Sequence, residues 1–217
     1  MNPTATPSIA TQVAPPPAYL TISIVNSHIG AISTFHQLQT KPNGVVAPSP
    51  WGGVPVPGTV ACGSSASMAV PTNWAGIVLV SDASHKITDN DSGIEANFVS
   101  WGPDFENGNA IGTVDVTFVG GFSVPIVCSC AGKVQTGCNK DLFKLGTCPS
   151  AVTEGACANP LRGDLGVTQA NPFFAPCQHA AYAYEEDHAA VSAGECQEGH
   201  INCCVGTACP PNPDQPA

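Results

Sequence analysis

Ten of the chain's eleven cysteines lie beyond residue 127, at Cys128, Cys130, Cys138, Cys148, Cys157, Cys177, Cys196, Cys203, Cys204 and Cys209; only Cys62 precedes them. In a chain poor in Lys and rich in Gly and Pro, this density predicts an oxidised, extracytoplasmic protein. The second half is then loops and short helices tied down by bridges because they lack enough core of their own. The odd count leaves at least one thiol free, or paired outside the chain.

The rest of the composition narrows the function. Charged residues are 10%, against roughly 25% in a typical globular domain. Acids outnumber bases 16 to 6, for a net charge of −10, so no basic patch is available to neutralise phosphates and nucleic-acid binding is not expected. Gly (22) and Pro (21) favour strands and turns over long helices. No run of 18 apolar residues spans a membrane. Met1 is not followed by a basic region and an apolar core; for a secreted protein, Met1 is expected to stand in place of a removed signal sequence.

Residues 1–18 are uncharged and proline-rich and read as a flexible leader, and residues 210–217 as a flexible tail. Between them, 19–209 reads as one domain, with a β-sandwich core over 19–127 and a cysteine-rich lobe over 128–209. Tyr19–Asn26 alternates, with Leu20, Ile22 and Ile24 on one face. The runs Trp74–Val80, Ile94–Val99 and Val114–Val119 are strand-like. Phe122–Val127 carries Pro125 and is expected at an edge or a bend. Asn139–Leu145 allows a helical turn or two.

Two constellations can carry chemistry. Glu95 and Asp115 each sit inside an apolar strand, on the face opposite Ile94, Ala96 and Phe98 or Val114, Val116 and Phe118. A pair of carboxylates is the minimum for glycoside hydrolysis; the alternative is two solvated acids. Tyr182–His188 (YAYEEDH) sets Glu185, Glu186 and Asp187 beside Tyr182 and Tyr184, whose rings offer planar surfaces for sugars; the alternative is an ordinary surface loop. No HExxH, zinc-spaced cysteine pairs, nucleophile elbow, Rossmann or P-loop signature occurs, so no metal or cofactor is expected. Asn90-Asp91-Ser92 is a glycosylation sequon.

In order along the chain, LTISIVN (Leu20–Asn26), IEANF (Ile94–Phe98), VDVTFVGGFSVPI (Val114–Ile126), CNKDLFKLGTCP (Cys138–Pro149) and FFAPCQHAAYAYEED (Phe173–Asp187) resemble segments of the thaumatin-like proteins, in the compact fungal secreted branch. The resemblance implies a mainly β, flattened sandwich with a disulfide-rich, partly helical lobe and an acidic cleft between them. It also implies a secreted or cell-wall monomer that binds β-1,3-glucan or a related cell-wall polysaccharide, with weak endo-β-1,3-glucanase activity. The alternative is a non-enzymatic surface, adhesion, effector or antifungal protein.

Glu95 matches the family's cleft Glu and Asp115 one Asp, with Glu186 or Asp187 near the last acid. Gly112 stands where another Asp is expected, and Ser81 about where the cleft Arg would be. Glu95, near Ile94 and Phe98, is the expected general acid with a raised pKa. Asp115 is its ionised partner, and Tyr182, Tyr184, Glu186 and Asp187 bind substrate. The family order pairs Cys138 with Cys177, Cys148 with Cys157, and Cys130 with Cys196, for which Cys128 competes. It bonds Cys62 to Cys203, Cys204 or Cys209. His28 replaces the family's first cysteine, so the bridge from the first strand is expected to be absent.

Overall fold

The computed structural model describes residues 19–38, 58–71, 74–99, 111–150, 152–153, 155–192 and 196–217. The leader 1–18 and most of the Pro/Gly-rich stretch 49–58 lie outside them. In chain order the strands are β1 (Tyr19–Asn26), β2 (Ile32–Leu38), β3 (Gly58–Val60), β4 (Ser65–Pro71), β5 (Ala75–Asp82), β6 (Ser92–Val99), β7 (Ile111–Thr117), β8 (Gly121–Phe122), β9 (Ile126–Cys130), β10 (Lys133–Cys138), β11 (Val152–Thr153), β12 (Ala156–Ala158) and β13 (His200–Val205). The single α-helical turn among the described residues, α1 (Leu142–Leu145), falls within the segment predicted for it. The chain is thus mainly β among the described residues, and no helix there is long and apolar enough to cross a membrane.

Two five-stranded sheets form the sandwich. The first runs β10-β9-β13-β1-β4 and the second β3-β2-β5-β6-β7, with a small third sheet, β11-β12-β8; the stretch 128–209, expected as loops and short helices beside the sandwich, thus supplies β10, β13 and part of β9 to the first sheet. The strands form where period-two alternation gives each an apolar side. Leu20, Ile22 and Ile24 of β1 meet Val78, Val80, Ile94, Ala96, Phe98, Val114 and Val116 of the second sheet in one core. Each fully buried Phe or Leu side chain there contributes about 1.5–3 kcal/mol relative to exposure. Pro125 ends one strand before another begins: β8 stops at Phe122 and β9 starts at Ile126. Aromatic rings couple core to lobe. Phe118 and Phe122 lie 5.2 Å apart edge to face, Phe122 and Phe173 6.2 Å, and Phe173 and Phe174 5.0 Å.

Five disulfides tie the second half together. Cys130–Cys196, Cys138–Cys177 and Cys148–Cys157 are the pairs the resemblance implies. The others differ from expectation. Cys203 and Cys204 are adjacent in β13 and so face opposite sides of the sheet. Cys203 points into the core and bonds its cross-strand neighbour Cys128, and Cys204 bonds Cys209 five residues on. Neither reaches Cys62, which is exposed and free in the turn between β3 and β4.

The end of β1 carries no cysteine. Buried Asn26 holds it, donating from Nδ2 to the carbonyls of Gly30 (2.9 Å) and Val60 (2.8 Å) and accepting the His28 amide at Oδ1. The segment 210–217 is packed rather than a loose tail. Asn212 is buried and donates to the carbonyls of Gly137 and Ala180, and Gln215 donates to Asn139.

Candidate functional site: an acidic cleft on the second sheet

The alternation that buries Ile94 and Val116 turns Glu95 and Asp115 outward on the far face of the second sheet. There the β6–β7 register sets Glu95 directly opposite Asp115, and the β5–β6 register sets Ile77 opposite Glu95. Directly opposed residues place their Cβ atoms about 4.5–5.5 Å apart, so both carboxyls enter one cleft. Its volume is about 420 Å³. Ile77, Leu79 and Thr117 form its floor.

The lobe builds one wall. Free edges of sheets invite pairing, and residues 181–182 cover the edge of β7. Tyr182 donates its amide to the Val116 carbonyl (2.9 Å), and Phe118 donates its amide to the Tyr182 carbonyl (2.8 Å). This puts the Tyr182 ring against the carboxylates. Buried Asn159 fastens the next loop, donating to the carbonyls of Phe118 (3.0 Å) and Ala183 (2.8 Å). That loop carries Arg162 to the rim, where its Nη1 donates to the Asp89 carbonyl (3.3 Å) and its Nη2 lies 3.9 Å from the Asp89 carboxylate. Glu185 also lines the cleft and accepts the Gly163 amide at 3.2 Å.

The β5–β6 loop supplies Asp89 and Asp91. Asp91 is fully buried and locked: Oδ1 lies 2.8 Å from His85 Nε2, and Oδ2 accepts the amide (2.7 Å) and hydroxyl (3.2 Å) of Thr88. It fixes the loop and leaves Asp89 as the rim's exposed acid.

Burial dominates the electrostatics. It pushes the Asp115 carboxyl up to about 6, against the opposing hydrogen bond from the Ser192 amide to Oδ1 (3.0 Å). Burial, and then the charges of Asp115, Glu95 and Asp187, push the Tyr182 phenol up to about 12, so it keeps its proton at any physiological pH. Ile94 and Phe98, expected to raise the Glu95 pKa, point into the core, away from its side chain; the carboxyl that burial shifts upward is that of Asp115, which keeps its proton only below about pH 6.

Of the four substrate-binding candidates, Tyr182 lines the cleft. Tyr184 is buried in the core. Glu186 pairs with His188 at 2.9 Å on the surface. Asp187 is wholly buried and holds His179, a non-glycine residue with φ +69°, through its amide (3.0 Å) and Nδ1 (2.8 Å). A turn closed from the Asp187 amide to the Tyr184 carbonyl breaks the alternation after Tyr182 and swings these side chains elsewhere.

The two departures from the family pattern also find a place. Gly112 lies on the core side of β7, where a Cβ would meet the Cys196 carbonyl at 2.5 Å, so no acid fits. Ser81 is buried beyond the cleft floor, and the cleft's cation is Arg162, from the lobe. Asp89, Asp91 and Arg162 escaped the sequence reading because they sit on loops with no period; Glu185 stood in the acidic constellation but was not among the residues assigned to substrate.

No family model matches the chain, and no curated protein matches it. Among solved structures it is similar to a laminaripentaose-producing β-1,3-glucanase in complex with laminaritetraose. That likeness has 18% identity and a TM-score of 0.37, over 68% of this chain and 54% of that one. The chain thus spans about half the length of that enzyme. At this TM-score the two architectures are only loosely alike, and the cleft is read on its own chemistry.

Proposed function

We propose that this is a secreted protein that binds β-1,3-glucan or a related cell-wall polysaccharide in the acidic cleft and cleaves it slowly. The carrying observation is Glu95 directly opposite Asp115 on the cleft face, with burial holding the Asp115 proton up to about pH 6. Two carboxyls, one protonated and one available as an anion, are the equipment of glycoside hydrolysis. Asp115 gives its proton to the glycosidic oxygen as the bond to the anomeric carbon breaks. Glu95 stabilises the positive charge developing on the sugar and supplies the base or nucleophile. Tyr182, kept neutral, offers a ring face to the sugar and an O–H to its hydroxyls. The polysaccharide class rests on the thaumatin-like resemblance of the sequence.

Reducing-sugar release from a soluble β-1,3-glucan tests the reading, alongside a binding isotherm on the same polymer. Asp115→Asn and Glu95→Gln are each expected to abolish release and leave binding largely intact. Release by both variants at the wild-type rate sinks the catalytic assignment. A non-enzymatic recognition protein is the second reading, favoured by the Ser192 amide that ties down one Asp115 oxygen; binding without any sugar release by the wild type would establish it.

A further inference from the structure

The second sheet's outer face carries a second row of side chains beside the carboxylate row. The registers set Thr117 opposite Gly93, Gly93 opposite Leu79, and Leu79 opposite Phe35, so the row crosses β7, β6, β5 and β2. Three strand spacings make it about 14 Å long. Gly93 keeps its floor level: a Cβ there would lie 2.7 Å from Ile77 Cδ1 and 2.8 Å from Thr117 Cγ2, so the neighbours already close over the position. Beyond Leu79 the face opens into a second hollow of about 370 Å³, lined by Phe35, Ile87 and Thr59 among others. Leu79 and Asp89 line both hollows, so they meet in one trough.

The two halves differ in chemistry. The first is rich in carboxylates. The second is largely apolar; among the described residues its lining has Lys86 as the one lysine or arginine, the shared Asp89 as the one acid, and His85. Phe35 is 38% exposed and is the phenyl ring lining this half among the described residues. A cationic peptide would find acids in the first half only. A neutral sugar chain suits both, because each ring has hydroxyl edges for the acids and a C–H face for an aromatic.

We propose that the bound polysaccharide continues past the carboxylates, across β5 onto β2 and β3, where Phe35 and Leu79 hold a further stretch of the same chain. This rests on the polysaccharide reading of the cleft. The trough then recognises chain length: a short oligosaccharide fills the acidic half, and a longer one adds the contact with Phe35.

Calorimetric titration with linear β-1,3-linked trisaccharide and hexasaccharide tests this on the wild type, Phe35→Ala and Phe35→Leu. Phe35→Leu keeps an apolar side chain and removes the ring, and its melting curve reports whether the fold is retained. The wild type is expected to bind the hexasaccharide about tenfold more tightly than the trisaccharide. Both variants are expected to lose most of that gain and keep wild-type affinity for the trisaccharide. Trisaccharide binding with no gain for the hexasaccharide, or a gain that Phe35→Leu retains in full, overturns the extended trough and leaves the cleft reading standing. Failure of the wild type to bind either sugar overturns both.

Discussion

Replacing Asp115 by Asn should stabilise the protein at neutral pH while removing its acid. Asn keeps the volume, and its Oδ1 still accepts the Ser192 amide. Burial raises the Asp115 pKa from 3.8 to about 6, so the folded chain holds this proton more tightly than the unfolded chain does. The stability associated with that proton is fully present below about pH 4 and is lost as pH rises through about 6. A rise of this size amounts to about 3 kcal/mol of lost stability by pH 7. The wild type carries that cost at pH 7 and the Asn variant does not. With a urea m-value of about 2 kcal/mol/M, the variant's midpoint should exceed the wild type's by about 1.5 M at pH 7 and hardly at all at pH 4. Urea unfolding followed by tryptophan fluorescence at the two pH values measures both. A midpoint difference that is the same at pH 4 and pH 7 would refute the assignment of a raised pKa to Asp115, whatever its sign.

Asn159→Ala strips the donor from two buried carbonyls and should cost about 2–4 kcal/mol; a thermal midpoint equal to the wild type's would show that the loop carrying Arg162 is anchored by other contacts. Cys62 is the one exposed free thiol among the described residues, so native iodoacetamide treatment without reductant should add a single label by intact mass, and peptide mapping should place it at Cys62.

The sandwich was legible where a strand has one dry face. In Leu20–Ile24, Ile94–Phe98 and Val114–Phe118 the residues destined for the core alternate with those left outside, and that alternation also announced that Glu95 and Asp115 share the outer face. It could not announce that the two are direct partners, because register is set by tertiary pairing. The lobe was legible as a cysteine network but not as a wall of the site. Arg162 reaches the cleft because Asn159 fastens its loop to the Phe118 carbonyl just after β7 and to the Ala183 carbonyl, and no local pattern encodes that. Asp187 shows the opposite failure. An acid in a charged run reads as solvent-facing, yet Asp187 is buried, where it accepts the His179 amide and meets that residue's Nδ1. Cys203 and Cys204 were indistinguishable as neighbours in sequence, and only their placement within a strand sent them to opposite faces.

The central pair of the first sheet joins β1 to β13 in parallel, and this orders the events of the protein's making. A chain emerging from the ribosome yields β1 before every other described strand and its partner β13 after all of them. Until then β1 can pair with β4 on one side alone, and its other edge, with Leu20, Ile22 and Ile24 beside it, stays open to whatever strand drifts by. The bonds Cys128–Cys203 and Cys130–Cys196 wait for the same late arrival. Closure of the first sheet is therefore late by topology: until β13 is in place, β1 is the open edge of a half-sheet that a stranger's strand could join.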